Sequence, residues 1–167
     1  MESTDLHWYV GCVRSCQEKN VAASLQKMAV GCYLPVRREV HKWSDRKKVV
    51  ETLVIPRYVF IHCSESRRMQ VLKAEPRIWA FLSLEGRPSV VRDTEMEAFM
   101  KMVENGRSLK LHSAGALPGD RVRVVEGPLA GIECELVRID GNRCLAVSLG
   151  ALGTATMELD IDSVERI

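Results

Sequence analysis

The stretch Leu117-Pro118-Gly119-Asp120-Arg121-Val122-Arg123-Val124-Val125-Glu126-Gly127-Pro128-Leu129-Ala130-Gly131 decides how the last third of the chain folds. One proline–glycine and one glycine–proline pair within it are typical of turns. Between these pairs, Val122 and Val124 fall on one face of an extended strand, and Arg121 and Arg123 fall on the other. A second alternating segment follows from Ile132 to Ile139. Such short, turn-separated strands predict a small five-stranded barrel, because closure removes exposed sheet edges.

The composition changes near residue 106, which favours two domains in a chain of 167 residues. Residues 1–106 contain 17 Lys and Arg against 13 Asp and Glu, a net charge of +4, whereas the remainder contains 7 against 9, a net charge of −2. The first domain is therefore basic enough to run along nucleic acid, but phosphate binding alone is a weak source of affinity at this charge. We expect a protein surface to be the main partner.

Six cysteines lie in apolar, strand-like contexts: Cys12, Cys16, Cys32, Cys63, Cys134 and Cys144. We interpret them as reduced and mostly buried, and we expect no metal and no cofactor, because their spacing does not match a zinc site. The first residues lack a basic segment followed by an apolar core, and no apolar run approaches the roughly 20 residues that span a bilayer. A cytoplasmic protein with no membrane contact is the expectation.

The first 106 residues read as strands interleaved with three helices. We predict helices from Ser15 to Ala29, from Ser64 to Ala74 and from Thr94 to Gly106; Ser15 and Thr94 each precede a glutamate by three residues, as in a capping box. The predicted fold class is α+β, with an antiparallel sheet sandwiched by helices in the N-terminal domain. Residues 107–116 have the small, polar character of a linker, and the barrel then occupies residues 117–167.

The opening stretch closely resembles a KOW motif. Three further segments have the order expected upstream of it: His7-Trp8-Tyr9-Val10, then Ile55-Pro56-Arg57-Tyr58-Val59-Phe60-Ile61, then Gly86-Arg87-Pro88. Together they resemble the NusG family of transcription elongation and antitermination factors, across essentially the whole chain. The resemblance implies an NGN-type domain that binds RNA polymerase, followed by a KOW β-barrel. Short length, cysteine content and Cys134 within the KOW region resemble the operon-specific paralogs, RfaH and UpxY, of which the latter serve surface polysaccharide operons.

By this resemblance, the NGN domain docks on the coiled coil of the polymerase clamp through an apolar depression. The matching positions, expected to be exposed apolar groups, are Cys12, Ile55, Tyr58, Met96, Phe99 and Met100. Aromatic and methionine side chains suit a groove for an amphipathic helical partner, although a stripe of this kind also forms the core face of an ordinary helix. The second helix matches the contact with the opposite side of the polymerase cleft through Arg68, Met69 and Gln70, although an arginine there also suits a solvated helix face.

Two other surfaces follow from the resemblance. The non-template DNA strand is expected at the start of the first helix, at Arg14, Gln17, Lys19 and Asn20, although these residues also suit a solvated helix face. The segment Arg37 to Arg57 is also basic, and Trp43 at its tip could stack on a base, although such a hairpin tip is also typical of a merely mobile loop. The KOW barrel is expected to recruit a protein, in the family the ribosomal protein NusE or the termination factor Rho. Its apolar candidates are Leu129, Ala130 and Ile132.

Two alternatives remain at this point. KOW units also occur in ribosomal proteins, so an RNA-binding, ribosome-associated module is the second hypothesis. An enzyme is the third and weakest, because the four histidines are scattered and no nucleophile elbow, phosphate loop or carboxylate pair accompanies them.

Overall fold

The computed structural model describes residues 5–105, 109–112, 119–158 and 164–167. The N-terminal sheet is built around strand β1 (His7–Val13), which pairs antiparallel with β5 (Tyr58–Cys63) on one side, and with β6 (Ile78–Phe81) and β9 (Val90–Val91) on the other. Strand β2 (Gly31–Tyr33) extends the sheet beyond β5. The last five residues of β1 are buried, which explains why this segment reads as a continuous apolar run.

Three helices accompany the N-terminal sheet: α1 (Glu18–Lys27), α2 (Glu65–Ala74) and α3 (Asp93–Asn105). The predicted α+β class is confirmed. Ser64 caps α2 by accepting a hydrogen bond from the Arg67 backbone N–H at 3.3 Å. The capping box predicted at Ser15 does not form; the helix begins later, and the carboxylate of buried Glu18 accepts from the Cys16 backbone N–H at 3.0 Å.

Two small antiparallel hairpins branch from this domain. Strands β3 (Val36–Lys42) and β4 (Lys47–Leu53) pair only with each other in the described chain, from Val36↔Leu53 at the base to Lys42↔Lys47 near the tip. Strands β7 (Ser83–Leu84) and β8 (Arg87–Pro88) form the second, at the Gly86 turn.

The C-terminal domain is a six-stranded antiparallel sheet that wraps around its own apolar interior, in the order β10-β14-β13-β12-β11-β15. The strands are β10 (Lys110–His112), β11 (Asp120–Val124), β12 (Glu133–Ile139), β13 (Asn142–Ser148), β14 (Thr154–Glu158) and β15 (Val164–Arg166). A single 3-10 turn, η1 (Gly150–Leu152), precedes β14. The segment expected to be a linker thus supplies β10, which pairs with β14.

The KOW segment forms the predicted strand, turn and strand. Val122 and Val124 are 1 % and 3 % exposed and lie in the barrel interior, as their alternation predicts. The turn after β11 closes through a 2.8 Å hydrogen bond from the Gly131 N–H to the Val124 carbonyl. Gly119 lies so close to β12 that a Cβ atom there would collide with the Leu136 carbonyl, so the glycine of the Pro118-Gly119 pair is required by packing.

The cysteines of the described chain are free thiols, and four of the six are buried. Burial raises the pKa of the Cys134 and Cys63 thiols to about 11. Cys16 is exposed, with a positive φ of 66°, and Cys32 is half-buried. None of the helices in the described residues is long and apolar enough to cross a membrane.

Candidate functional site

Helix α3 is the element that joins the two domains. Asp93 and Glu95 place carboxylates in its first turn, where the unpaired N–H groups and the helix dipole favour negative charge. Its buried residues occupy more than one helix face: Met96, Ala98, Phe99, Met102 and Val103. A helix that is apolar over so wide an arc must be covered from two directions.

One side of α3 packs on the N-terminal sheet. The Phe99 ring centroid lies 5.5 Å from that of Phe60 and 6.3 Å from that of Tyr33, the latter edge-on. Phe99 is 0 % exposed and Met96 1 %. The expectation that Met96 and Phe99 are exposed in a groove is therefore wrong, because these side chains form the domain core; Met100 is half-buried at its edge.

The other side of α3 faces the barrel. The Lys101 ammonium donates to the Ala130 carbonyl over 3.5 Å. Glu95 also faces the barrel, since its carboxylate lies near Arg121 and Glu135. Ala98 and Met102, 1 % and 0 % exposed, fall on the arc of the helix between Lys101 and Glu95 and therefore lie on this same side. One continuous apolar cluster unites α3 with barrel residues such as Leu145. The sequence prediction missed Ala98 and Met102, although their i, i+4 spacing was a usable signal.

A second contact between the domains lies next to α3. The Ala151 backbone N–H donates to the Ser89 hydroxyl at 2.8 Å, and Ser89 is 8 % exposed. Gly150, with a φ of +62°, packs against the same hydroxyl so closely that an added Cβ would collide with it. The barrel is thus positioned by a directional bond as well as by apolar burial.

Glu95 gives the interface an electrostatic component. Burial raises the pKa of its carboxyl, and the nearby Glu135 carboxylate of the barrel acts in the same direction. The Arg92 backbone N–H, donating over 3.4 Å, and the charges of Arg92 and Arg121 offset part of that shift in pKa. Burial is the largest of these effects, so the pKa of Glu95 stays above its ordinary value.

The first strand and β5 bring together candidates that were predicted for different partners. Cys12 and Ile55 are 6 % and 3 % exposed, so the expectation that they are exposed is wrong: strand β1 is central in its sheet, and Ile55 joins the core beneath α3. Tyr58 is half-buried. Cys12 and Tyr58 line one shallow surface pocket with Arg14 and the exposed Trp79.

Helix α2 contributes a structural ion pair. Arg68 is 9 % exposed; its guanidinium bonds to the Glu65 carboxylate and lies 5.5 Å above the Tyr9 ring and 5.3 Å above the Phe81 ring. The expectation of a solvent-facing Arg68 is therefore wrong, because its side chain folds inward over two aromatic rings, an arrangement favoured by cation–π attraction. Burial and the Glu65 carboxylate raise the pKa of Tyr9 to about 12.

The neighbouring residues of α2 do face solvent. Met69 is 43 % exposed. Gln70 is exposed, and its side-chain oxygen accepts from the Arg67 guanidinium at 2.7 Å. Two of the three predicted α2 contacts are thus accessible in the folded chain.

The start of α1 presents an exposed polar group. Arg14, Lys19 and Asn20 are exposed and Gln17 is half-buried. The Asn20 amide donates to the Gln17 side-chain oxygen at 3.0 Å, and the Lys19 ammonium lies 3.5 Å from a Glu51 carboxylate oxygen on β4. This exposed ion pair contributes little stability, so these side chains remain available to a ligand.

The apolar candidates on the barrel turn are covered. Leu129 and Ile132 are 8 % and 4 % exposed and belong to the cluster shared with α3. The expectation of exposed side chains at these two positions is wrong, because in this arrangement the turn packs beside α3. Ala130 alone of the three is exposed.

Comparison with known proteins gives a consistent assignment. The family model described as transcription termination factor nusG matches residues 6–100. A curated relative, the transcription termination/antitermination protein NusG of Neisseria meningitidis, is 29 % identical over 96 % of this chain and 97 % of its own length. The protein of the same name from Escherichia coli K12 is 25 % identical over 99 % and 98 %.

Among solved structures, one on domain interaction in Thermotoga maritima NusG is similar with a TM-score of 0.51 at 21 % identity, over 98 % of this chain and 98 % of that chain. This similarity concerns the fold alone. The family match spans more than half of the chain and includes α1, α2 and the start of α3. The chain therefore belongs to the NusG family of transcription termination and antitermination factors, which are regulatory proteins and not enzymes.

Proposed function

We propose that this protein binds RNA polymerase through the face of α3 that the barrel covers in the free chain. The observation that carries the proposal is the single apolar cluster shared by α3 and the barrel. When the barrel leaves, Ala98 and Met102 become an exposed apolar stripe, flanked by Glu95 and Lys101. An amphipathic helical partner fits such a stripe, which agrees with the clamp coiled coil that the family resemblance implies.

The barrel and the polymerase then compete for one surface. A ligand that binds only the uncovered state shifts the population towards it by mass action. Half-buried Tyr58 and Met100 pack against the shared cluster and are kept as proposed clamp contacts. Exposed Met69 and Gln70 on α2 are the proposed contacts with the opposite side of the polymerase cleft. Holding both sides of the cleft favours its closed form and suppresses pausing, with no chemistry required.

The test uses a release variant, Leu129→Asp, which changes only the barrel side of the cluster. A buried carboxylate at this position disfavours docking, and the N-terminal face is exposed even if the barrel itself unfolds. We expect tighter binding to purified polymerase than for the natural chain. Ala98→Glu, which places charge on the α3 face in every state, should abolish binding. Equal affinity of the natural and Leu129→Asp chains would refute the competition.

The exposed side chains at the start of α1 are the proposed contacts with the non-template strand. Arginine and amide groups read base edges, and Arg14, Lys19 and Asn20 are solvent-facing; Gln17 supports Asn20 through their hydrogen bond. Arg14→Ala should reduce crosslinking to the non-template strand in a reconstituted elongation complex. Crosslinking at the natural level would contradict the assignment.

The barrel is the proposed recruiting module for a protein, with NusE or Rho as the family candidates. Leu129 and Ile132 are covered while the barrel is docked, so such a partner is expected to bind only after release. The natural chain should bind NusE weakly and Ser89→Ala, which loses the contact to Ala151, more strongly. A partner that binds both equally would place its site elsewhere on the barrel.

A covered polymerase-binding face also suits a factor that acts at few sites. We propose an operon-specific role of the RfaH and UpxY type, for example in surface polysaccharide operons, within the cytoplasm where polymerase works. Chromatin occupancy of a tagged chain should be confined to a few operons. Occupancy on most transcribed genes would indicate a general factor instead.

A further inference from the structure

The hairpin of β3 and β4 exposes an unusual face. Along it, Val40 pairs with Val49 and Lys42 pairs with Lys47. Val40 is 63 % exposed, Val49 is 61 % exposed, and Trp43 at the tip is 60 % exposed. We call these five residues the hairpin face. The opposite face of the hairpin carries Arg37 and Glu39, both half-buried.

Stability does not account for the hairpin face. Like charges directly opposite each other on neighbouring strands are destabilising, as for Lys42 and Lys47. The Val40–Val49 pair and Trp43 leave apolar surface in water, and a two-stranded hairpin is only marginally stable by itself. Together these features fit a ligand that brings negative charge and flat apolar groups at once.

We propose that the hairpin face binds single-stranded nucleic acid. The hairpin from Val36 to Leu53 has six basic residues against three acidic ones, so it attracts a phosphate backbone. Trp43 is placed to stack on an unpaired base, and the valine pair offers a second apolar contact. A duplex keeps its bases stacked on one another, which leaves an exposed indole without a partner; the single strand is the better match.

The hairpin face is continuous with the start of α1. The ion pair between Lys19 of α1 and Glu51 of β4, at 3.5 Å, joins the two elements. Glu51 also lies 3.4 Å from the Arg38 guanidinium. Where the hairpin meets α1, two basic side chains therefore share one acidic side chain. A strand held at the start of α1 thus has a basic path towards Trp43. The hairpin face therefore extends the DNA contact proposed at the start of α1. Binding of a single strand by the hairpin itself requires no polymerase.

The experiment measures fluorescence anisotropy of a labelled 20-nucleotide oligothymidine with the full chain at 50 mM and 200 mM salt. Trp43→Ala should weaken binding about tenfold, because a base–aromatic stack is lost. Lys42→Glu/Lys47→Glu should weaken binding further. It should also reduce the slope of log binding constant against log salt concentration by roughly 0.7 for each lost phosphate contact. The matched control is Lys27→Glu/Lys73→Glu, which makes the same change of net charge at exposed positions on α1 and α2.

Control behaviour like that of the natural chain supports the hairpin face. If the control loses as much affinity as Lys42→Glu/Lys47→Glu, or if Trp43→Ala binds as the natural chain does, the proposal is overturned. The proposal is also overturned if the chain binds a 20-base-pair duplex more tightly than the oligothymidine and Trp43→Ala does not change the affinity for the duplex. A loss in the hairpin variants with natural affinity in Arg14→Ala would support the hairpin face and count against the α1 contact, which separates the two proposals.

Discussion

Replacing Gly150 by alanine is the sharpest test of how the barrel is held against the N-terminal domain. Gly150 adopts a φ of +62°, and its missing Cβ leaves room for the Ser89 hydroxyl. That hydroxyl accepts the 2.8 Å hydrogen bond from the next residue, Ala151. An added methyl group collides with the hydroxyl and separates the bonded pair.

Only those energetic costs of Gly150→Ala that differ between the docked and the released chain change the free energy of docking. An alanine in the left-handed region costs about 1–2 kcal/mol, but the barrel bears this cost whether docked or released, so it cancels from the docking equilibrium. Loss of the Ala151–Ser89 bond costs docking about 0.5–1.5 kcal/mol, and steric repulsion adds to it. A net loss of about 1–2 kcal/mol raises the ratio of released to docked chains roughly 5- to 30-fold.

Nuclear magnetic resonance relaxation measures the outcome. In Gly150→Ala, we expect barrel amides to relax as a smaller, faster-tumbling body and the signals of Val90 and Ala151 to shift. Adding Ser89→Ala removes the obstructing hydroxyl. The Ser89 Cβ that remains is 3.8 Å from the position of the Cβ added at residue 150, which is an ordinary contact distance. The double variant should therefore dock better than Gly150→Ala alone. If Ser89→Ala gives no recovery, or if Gly150→Ala tumbles as one body, this contact does not control docking.

Three further results are expected from stability measurements. Phe99→Ala should lower the free energy of unfolding by about 3–5 kcal/mol in urea titration, because it removes a fully buried ring; a loss below 1 kcal/mol would contradict its core position. Hydrogen bonds from Arg77 lower the pKa of buried Glu75 to about 2, so Glu75→Gln should be destabilised relative to the natural chain at neutral pH. That difference should shrink as pH falls from about 4.5 towards 2, and a pH-independent difference would exclude the ion pair as its source. Ser64→Ala should cost about 0.5–2 kcal/mol by loss of the α2 cap, measurable as a lower urea midpoint, whereas Ser66→Ala, at a half-buried neighbour that leaves the Ser64 cap in place, should not reproduce a loss of that size.

The barrel was predictable because its information is local. Alternation placed Val122 and Val124 inside, and turn residues marked where the strands end. The strand Lys110–His112 escaped prediction because three residues are too few to show a period, and its partner β14 lies more than 40 positions away. Its existence depends on a tertiary contact.

The candidate site was less predictable for a different reason. Helical spacing identified the apolar stripe through Met96 and Phe99, but it does not distinguish a face packed on its own domain from one awaiting a partner. In the structure, the face that the barrel covers is a second stripe, Ala98 and Met102. The small side chain of Ala98 and the flexible one of Met102 make this stripe harder to recognise in the sequence. Arg68 misled for a similar reason, since an arginine on a helix is usually solvated and this one covers two rings.

The strand β10 limits how far the barrel travels after release. If β10 stays paired with β14, only four residues connect the end of α3 at Asn105 to Lys110, a reach of roughly 18 Å when fully extended. A module on so short a tether returns to its site at an effective concentration in the millimolar range. A freely diffusing competitor at micromolar concentration must therefore bind about a thousandfold tighter than the barrel does. The length of the tether thus determines the affinity that a partner needs in order to displace the barrel.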